Sequence, residues 1–277
     1  MLRVIDFLGI GAQKSGTTWL MKNLRSHPGV WTPRLIKELH YFDVLYLGYG
    51  RESQLNRIRR KMETLINKSD WDNALSDEKR PYFRRLYDPD IAFTDEWYEH
   101  IFSKKKNSVK GEFTPAYCAI GGRGVAHVRR LMPDVKLIYM VRDPYERAMS
   151  SLRMILERGN VRKRTPAELV EQPVFVKKGD YAANIPVWEE AFDPAQIFYI
   201  PFGRVKSDPN GVLRDVETYL GLEHYDKYPV VTKKVNATGK KKITIPPQVN
   251  ERLRLMAEPQ YSYLADRFGE AFLGSIR

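Results

Sequence analysis

Residues 9–20 read GIGAQKSGTTWL and set one lysine and two threonines among three glycines. The loop follows the apolar run VIDFL and leads into a helical pattern, so its N–H groups and the helix N-terminus can surround an anion. Gly11 and Gly16 give the G-x-x-x-x-G frame of a nucleotide phosphate loop. We therefore expect a phosphate site formed by Gly11, Gln13, Lys14, Ser15, Gly16, Thr17 and Thr18.

This loop differs from the form that binds ATP or GTP. That form continues with Lys-Ser or Lys-Thr after the last glycine, whereas here Thr17 and Thr18 follow and the lysine is Lys14, inside the loop. No acidic strand end suited to magnesium stands out in the sequence. The pattern favours a metal-free phosphoester, and a P-loop NTPase or kinase-like enzyme is the alternative.

A second anchor for a nucleotide lies in the sequence KLIYMVRDPYERAMSSL. Asp143, Pro144 and Glu146 fit positions N-cap, N1 and N3 of a helix. Arg142 then ends the preceding strand, where open α/β sheets bind ligands, and its guanidinium can fork onto a phosphate. Ser150 can add a hydroxyl from the same helix. Alone, the pattern also fits an ordinary capping and salt-bridge arrangement; with the first loop it predicts one nucleotide site.

These two motifs resemble those of the sulfotransferases that use 3′-phosphoadenosine 5′-phosphosulfate (PAPS), with the closest likeness to the heparan-sulfate-type glycan enzymes. QKSGTTWL resembles their 5′-phosphosulfate loop and VRDPYERAMSS their 3′-phosphate site. Further similar segments are HPGVWTPRLIKELHYFD, VKGEFTPAY, GDYAANIPVWEEAF and SDPNGVLRDVETYLGL. The resemblance implies a P-loop-like α/β fold, PAPS as co-substrate without a metal, and transfer of a sulfuryl group to an acceptor hydroxyl or amine.

The resemblance also assigns catalytic roles. Lys14 would meet the negative charge that grows on the leaving oxygen. In KELHYFD, Glu38 matches the catalytic glutamate of the heparan type, while the small-molecule branch uses a histidine, which makes His40 the alternative base. If the segment is extended, Glu38 and His40 point to the same side. Asp43 completes the set of titratable groups there.

Two further segments bear on ligand binding. NATGKKKITIPP resembles the late basic loop of the family, which implies that Gly239, Lys240 and Lys241 lie near the nucleotide. The resemblance of the segment KKGDYAANIPVW likewise implies that Tyr181 lies near the site. Glycan relatives commonly have Lys-Ser-Pro or Lys-Thr-Pro after the Gly-Glu pair, where this chain has Phe113 and then Thr-Pro. An aromatic ring in place of a lysine disfavours a polyanionic acceptor, so we expect a glycan, a lipid or a small metabolite.

The elements that position these residues alternate between short apolar runs and helical patterns, which predicts an α/β fold with a central, mainly parallel sheet flanked by helices in three layers. We expect a single domain over residues 1–277, with a helical insertion at 50–106 near the acceptor site. Strands are predicted at 4–10, 108–112, 136–141 and 197–201. Helices are predicted near 17–26, 123–132, 145–157, 181–192, 208–220 and 248–268.

Composition limits the partners. The formal charge of +12 favours an anionic ligand, but the basic runs RIRRK and GKKK are scattered and lack interleaved aromatic residues, so nucleic acid is not expected. The single cysteine, Cys118, excludes a disulfide within the chain and a cysteine zinc site. No run of about 18 apolar residues and no signal-peptide layout is present. We expect a soluble cytoplasmic enzyme without a metal.

Overall fold

The computed structural model describes residues 4–33, 36–66, 76, 80–103, 108–159, 164–229, 231 and 243–277. Within these ranges lies a five-stranded sheet of spatial order β2-β3-β1-β4-β5, and every neighbouring pair of strands is parallel. The strands are β1 (Phe7–Gly11), β2 (Val30–Trp31), β3 (Val109–Phe113), β4 (Lys136–Val141) and β5 (Ile197–Pro201). The predicted parallel sheet is confirmed.

The helices of the described ranges follow the predicted order. They are α1 (Thr17–Leu24), α2 (Tyr41–Leu47), α3 (Arg51–Ile66), α4 (Arg80–Tyr87), α5 (Asp95–Ile101), α6 (Gly121–Leu131), α7 (Pro144–Glu157), α8 (Pro166–Val170), α9 (Pro173–Lys177), α10 (Tyr181–Ala191), α11 (Arg204–Ser207), α12 (Pro209–Leu220), α13 (Pro247–Phe268) and α14 (Glu270–Ser275). The charged segment 50–106 is helical over α3, α4 and α5, as its pattern indicates.

The sheet has a hydrophobic core on each face, because successive side chains of a strand point to opposite sides. In β4, Leu137 and Tyr139 join the core beneath α2, α6 and α10. Ile138 and Met140 join the opposite core, beneath α1 and α12. The molecule therefore has three layers, and the ends of β1 and β4 emerge side by side at the carboxyl edge of the sheet.

A third core packs the helices that follow β4. Leu152 of α7, Leu169 of α8, Phe175 of α9 and Leu253 of α13 are buried together. This packing holds α7, whose first turn belongs to the predicted nucleotide site, independently of the sheet.

Five short elements, β2, α2, α8, α9 and α14, lie where the sequence predicts no strand or helix. Strand β2 has two residues and helix α2 has seven, and neither length shows a full hydrophobic period. Helix α2 is held by its tertiary packing instead: Tyr41 and Phe42 are buried among aromatic rings. The predicted helix near 208–220 is present as α12, and the four-residue helix α11 precedes it.

Candidate active site

The loop between β1 and α1 curls through two residues with left-handed backbones. Lys14 has φ 72° and Gly16 has φ 88°. At Gly16 a β-carbon would meet the Phe202 ring at 3.0 Å and the end of Met140 at 3.2 Å, so conformation and space both favour glycine. The loop therefore closes tightly over the end of β4.

This curl leaves a group of backbone donors without acceptors. The N–H groups of Ala12 and Ser15 bond to the carbonyls of Met140 (2.9 Å) and Ala12 (3.2 Å). Within the described ranges no hydrogen bond is recorded for the N–H groups of Gln13, Lys14, Gly16, Thr17 and Thr18. Successive free N–H groups at the start of an eight-residue helix form an anion-binding concavity.

Ser15 lies beneath this concavity. Its hydroxyl is buried beside the phenol of Tyr181 but makes no hydrogen bond of good geometry in the described parts of the chain. A buried hydroxyl is normally paired, so Ser15 has capacity for a further polar partner. The loop thus fits a phosphoester by its donors and by this unpaired group.

Arg142 faces the loop from the end of β4. Its guanidinium donates to the carbonyl of Lys14 at 2.9 Å and lies 4.8 Å from the centroid of the Phe202 ring. Its main chain is fixed by the hydroxyl of buried Tyr181, which accepts from the Arg142 N–H at 3.1 Å and donates to the Arg142 carbonyl at 3.0 Å. Two predicted nucleotide ligands, Lys14 and Arg142, are therefore in direct contact.

Helix α7 begins as its sequence predicts. The Asp143 carboxylate accepts from the Glu146 N–H at 2.9 Å, with Pro144 at N1. Asp143 also accepts from Arg277 at 3.1 Å and from the Tyr261 hydroxyl at 2.9 Å, so the helix start is tied to the C-terminal helices. These bonds fix the backbone at Asp143, directly after Arg142.

Cations converge on the loop. The pKa of Lys14 is lowered, first by burial and then by the positive charges of Arg142, Arg158 and Lys37, with only Glu157 acting in the opposite sense. An anion placed among these groups would relieve their mutual repulsion. The electrostatics therefore favour a negatively charged ligand at this loop.

The predicted base residues meet at the start of α2. Nδ1 of His40 lies 2.6 Å from Asp43 Oδ2, while its Nε2 lies 3.3 Å from Glu38 Oε2. Burial lowers the pKa of His40, but its bonds to Asp43 and Glu38 outweigh burial and raise it. Burial acts to raise the pKa of Glu38, yet the bonds from His40 and Lys37 bring it down to about 2. The pair is thus an ionised carboxylate beside a histidine that readily holds a proton.

The contact between Glu38 and His40 does not come from an extended strand. His40 has φ 56°, in the left-handed region, and directly precedes α2. The turn lets Nε2 of His40 reach back to Glu38 and Nδ1 reach forward to Asp43. Glu38 and His40 therefore lie side by side as expected, but a turn brings them together and not the alternation of side chains along an extended strand.

Lys37 connects the Glu38–His40 pair to the phosphate loop. Its ammonium donates to the Thr18 hydroxyl at 2.7 Å and to Glu38 Oε1 at 2.9 Å. Thr18 is in the first turn of α1, among the free N–H donors. One side chain therefore connects the anion cradle to the candidate base, a link that sequence reasoning missed because a lysine beside a glutamate carries no spacing signal.

A buried carboxyl group fixes the backbone on both sides of His40. Glu112 accepts from the hydroxyls of Thr114 (2.6 Å) and Tyr117 (2.9 Å). Thr114 accepts in turn from the N–H of Leu39 at 3.1 Å, and Tyr117 from the N–H of Tyr41 at 2.9 Å. The sequence VKGEFTPAY therefore supports the turn at His40 through these hydrogen bonds.

Helix α3 contributes a further support. The guanidinium of Arg57 donates to the main-chain carbonyl of Glu38 at 2.6 Å, and its buried Nε has no partner within the described ranges. The opposite charges of Glu38 and Asp43 act on it as well. The charged segment predicted as an insertion therefore contacts the candidate base directly.

The remaining predicted ligands are placed as follows. Ser150 is half-buried on α7, two turns beyond Arg142. Tyr181 is buried, and its hydroxyl is used by the main chain of Arg142, so direct contact with a nucleotide stays a prediction. Gly239, Lys240 and Lys241 lie outside the described residues.

A family model described as "Sulfotransferase family" matches residues 7–227. The mouse heparan sulfate glucosamine 3-O-sulfotransferase 3B1 is 28% identical over 152 residues, which are 51% of this chain and 38% of the mouse protein. The human bifunctional heparan sulfate N-deacetylase/N-sulfotransferase 3 is 26% identical over 252 residues, 83% of this chain and 24% of the human protein. Each match covers well under two thirds of the relative's length.

Solved structures share the fold. A sulfotransferase from Alicyclobacillus acidocaldarius has a TM-score of 0.62 and 22% identity, with 96% of both chains covered. The sulfotransferase domain from the curacin biosynthetic pathway has a TM-score of 0.61 and 16% identity, with 95% of this chain and 99% of that domain covered. None of the helices in the described ranges is long and apolar enough to span a membrane. By the extent of the family match, this chain belongs to the sulfotransferase family.

Proposed function

We propose that this protein transfers a sulfuryl group from PAPS to a hydroxyl or amine of an acceptor, without a metal ion. The observation that carries the proposal is the bond of Lys37 to both Thr18 and Glu38. It brings an anion cradle and an ionised carboxylate into one site, and sulfuryl transfer requires both: a place for the phosphosulfate and a base for the acceptor.

The residues that would hold the nucleotide fit an anion by their chemistry. The free N–H groups of the loop, the hydroxyl of Thr18 and the lysine at position 14 surround one concavity. Arg142, held by Tyr181 and already bonded to the loop, would take the 3′-phosphate with Ser150. When bound, PAPS supplies an activated sulfuryl group whose S–O bond to the 5′-phosphate is the one that breaks.

In this proposal Lys14 stabilises the oxygen that keeps the bonding electrons of that S–O bond. Glu38 takes the proton of the acceptor as the acceptor's oxygen or nitrogen bonds to sulfur. A carboxylate with a pKa near 2 is a weak base while His40 and Lys37 donate to it. We therefore expect Lys37 to transfer its hydrogen bond to the ligand's anionic oxygens, which would raise the basicity of Glu38.

His40 remains the alternative base. Its bond to the buried carboxylate of Asp43 orients the ring and would stabilise the imidazolium, as in hydrolase triads. A base at His40 requires that Glu38 turn away from Nε2 when the acceptor binds. The names of the curated relatives refer to heparan sulfate, so a glycan is one candidate acceptor, beside a lipid and a small metabolite.

Calorimetric titration tests the nucleotide assignment. The purified chain is titrated with the product 3′-phosphoadenosine 5′-phosphate (PAP) in EDTA and, separately, with ATP and magnesium. We expect PAP to bind in EDTA, and Arg142→Ala to weaken that binding at least ten-fold. Magnesium-dependent ATP binding without PAP binding would contradict the proposal and would indicate a variant NTPase loop.

A further inference from the structure

A cavity of about 350 Å³ opens at the far end of α2 from His40. Its walls are mainly apolar and include Leu47, Ala119, Pro173 and Val174. The side chain of Val174 is 42% exposed, which is high for a valine. The volume is near the lower end for small-molecule pockets, so the cavity suits a compact apolar body and not a folded chain.

The aromatic ring of Tyr49 lies near both this cavity and the Glu38–His40 pair. The ring centroid of Tyr49 is 6.0 Å from that of His40, in an edge-on arrangement. The ammonium of Lys178, which lines the cavity, lies over the same ring at 4.9 Å from its centroid. The charges of Glu38 and Asp43 also act on Lys178. The cavity therefore lies next to the candidate base, with Tyr49 and Lys178 between them.

Two polar groups at this junction make no hydrogen bond to any described residue. Lys178 is half-buried, and no hydrogen bond or ion pair of its ammonium is recorded in the described parts of the chain. The hydroxyl of Tyr49 is buried and likewise has no hydrogen-bond partner there. An ammonium and a hydroxyl in such positions gain stability from a bound anionic or polar group.

The cavity wall nearest α2 is fixed before any ligand binds. Tyr46, which lines it, bonds through its hydroxyl to Nδ1 of His127 at 2.9 Å. Nε2 of His127 lies 2.6 Å from the carboxylate of Asp95, and Asp95 is also paired with Arg130. This series of hydrogen bonds anchors Tyr46 to α5 and α6, so the cavity wall is in place before a ligand binds.

We infer that the acceptor is a compact molecule with an apolar body, one hydroxyl and one anionic group. Its body occupies the cavity beside Leu47 and Val174, its anionic group pairs with Lys178, and its hydroxyl extends past Tyr49 to Glu38. The inference rests on the proposed function and narrows its acceptor class to small hydroxylated organic acids. The proton and the sulfuryl group move as described above, and no further reactant is needed.

The test uses a matched pair of acceptors and a charge-deletion variant. The PAP complex of the full chain is titrated with 4-hydroxyphenylacetate and with 4-ethylphenol, which differ in the carboxylate. We expect the acid to bind at least ten-fold more tightly, and Lys178→Met to abolish the difference. Lys227→Met, which removes an exposed lysine elsewhere, should leave the preference unchanged. Val174→Asp should weaken both ligands while PAP binding stays the same.

Several results would overturn the inference. These are equal binding of the two phenols, an acid preference that survives in Lys178→Met, and binding of neither phenol while a heparin-derived oligosaccharide binds. Failure of the proposed function is seen separately, because PAP would then fail to bind. In that event the same titrations of the free protein still decide whether the cavity selects an organic acid.

Discussion

At the scale of single residues, the central question is which group accepts the proton. Glu38 and His40 are in contact, and each modifies the pKa of the other. Such groups titrate as a pair, so the roles must be separated by substitution. The contacts alone do not identify the base. Glu38 accepts a hydrogen bond from the ammonium of Lys37, and His40 is bonded to the carboxylate of Asp43.

We expect Glu38→Gln to lower kcat by about 10²-fold or more while the Kd for PAP changes little, because general-base catalysis contributes on that scale. The measurement is steady-state turnover with PAPS beside a PAP titration. His40→Ala should act through the pKa of Glu38 and shift the pH profile of kcat. Near-normal turnover of Glu38→Gln together with loss of activity in His40→Ala would transfer the base role to His40.

Glu112 gives a prediction for stability against pH. Burial raises its pKa from 4.5 to about 7, against the bonds from Thr114 and Tyr117 that lower it. The folded state therefore binds more protons than the unfolded state between these values, and its stability falls as pH rises from about 4.5 to 7. A shift of this size corresponds to a few kcal/mol, on the order of 3.

Glu112→Gln should remove that fall, because the amide keeps the acceptor for the tyrosine hydroxyl and does not titrate. Thermal unfolding of both proteins from pH 4.5 to 8 measures the difference. The exposed Glu251→Gln serves as control and should run parallel to the unsubstituted chain. Parallel curves for Glu112→Gln as well would show that Glu112 is ionised throughout.

At the scale of elements, the helix α3 connects the segment 50–106 to the candidate base. It buries Ile58 in the main core and places Arg57 on the carbonyl of Glu38. Because that bond is made by a charged donor to a main-chain acceptor, it fixes the backbone of Glu38 without using its carboxylate. Helix α3 is thus a support of the turn before α2.

We expect Arg57→Ala to lower kcat about ten-fold and to reduce stability by roughly 1–3 kcal/mol, since a hydrogen bond to a charged group is lost. Arg60→Ala removes an exposed arginine of the same helix and is the control. Turnover and thermal unfolding are measured on both. Equal behaviour of the two variants would mean that α3 does not position Glu38.

Elements with a full hydrophobic period were predictable, and short ones were not. The strands at 136–141 and 197–201 have the bounds that their apolar runs predict. The helix cap at Asp143 followed from residue types alone. The turn at His40 did not, because its left-handed backbone is imposed by bonds from Thr114 and Tyr117, which are more than seventy residues away.

At the scale of the whole molecule, the proposed nucleotide binding would be linked to folding. The cradle is formed by the loop after β1, the end of β4 and the start of α7, which join all three cores. A ligand that binds only this assembled site stabilises the folded state by RT ln(1 + [L]/Kd), about 2.7 kcal/mol at 100 times Kd.

We expect PAP at that concentration to raise the midpoint of thermal unfolding by about 5–10 °C in EDTA. The measurement is a fluorescence or calorimetric melt with PAP, with adenosine as the control that lacks phosphates. Arg142→Ala should lose most of the shift. An equal shift with adenosine would mean that the binding energy comes from the adenosine group and not from the phosphates.

The loop lysine has a consequence for how the sequence can change. Lys14 has φ 72°, where an L side chain costs roughly 1–2 kcal/mol, and it stands among cations that lower its pKa. We expect Lys14→Gly to melt at a higher temperature than the unsubstituted chain without nucleotide, by about 1 kcal/mol of stability, and to have no turnover. A lower melting temperature would contradict this. If Lys14→Gly melts higher as expected, selection for heat resistance alone would remove this lysine, and its retention would mark selection for the proposed sulfuryl transfer.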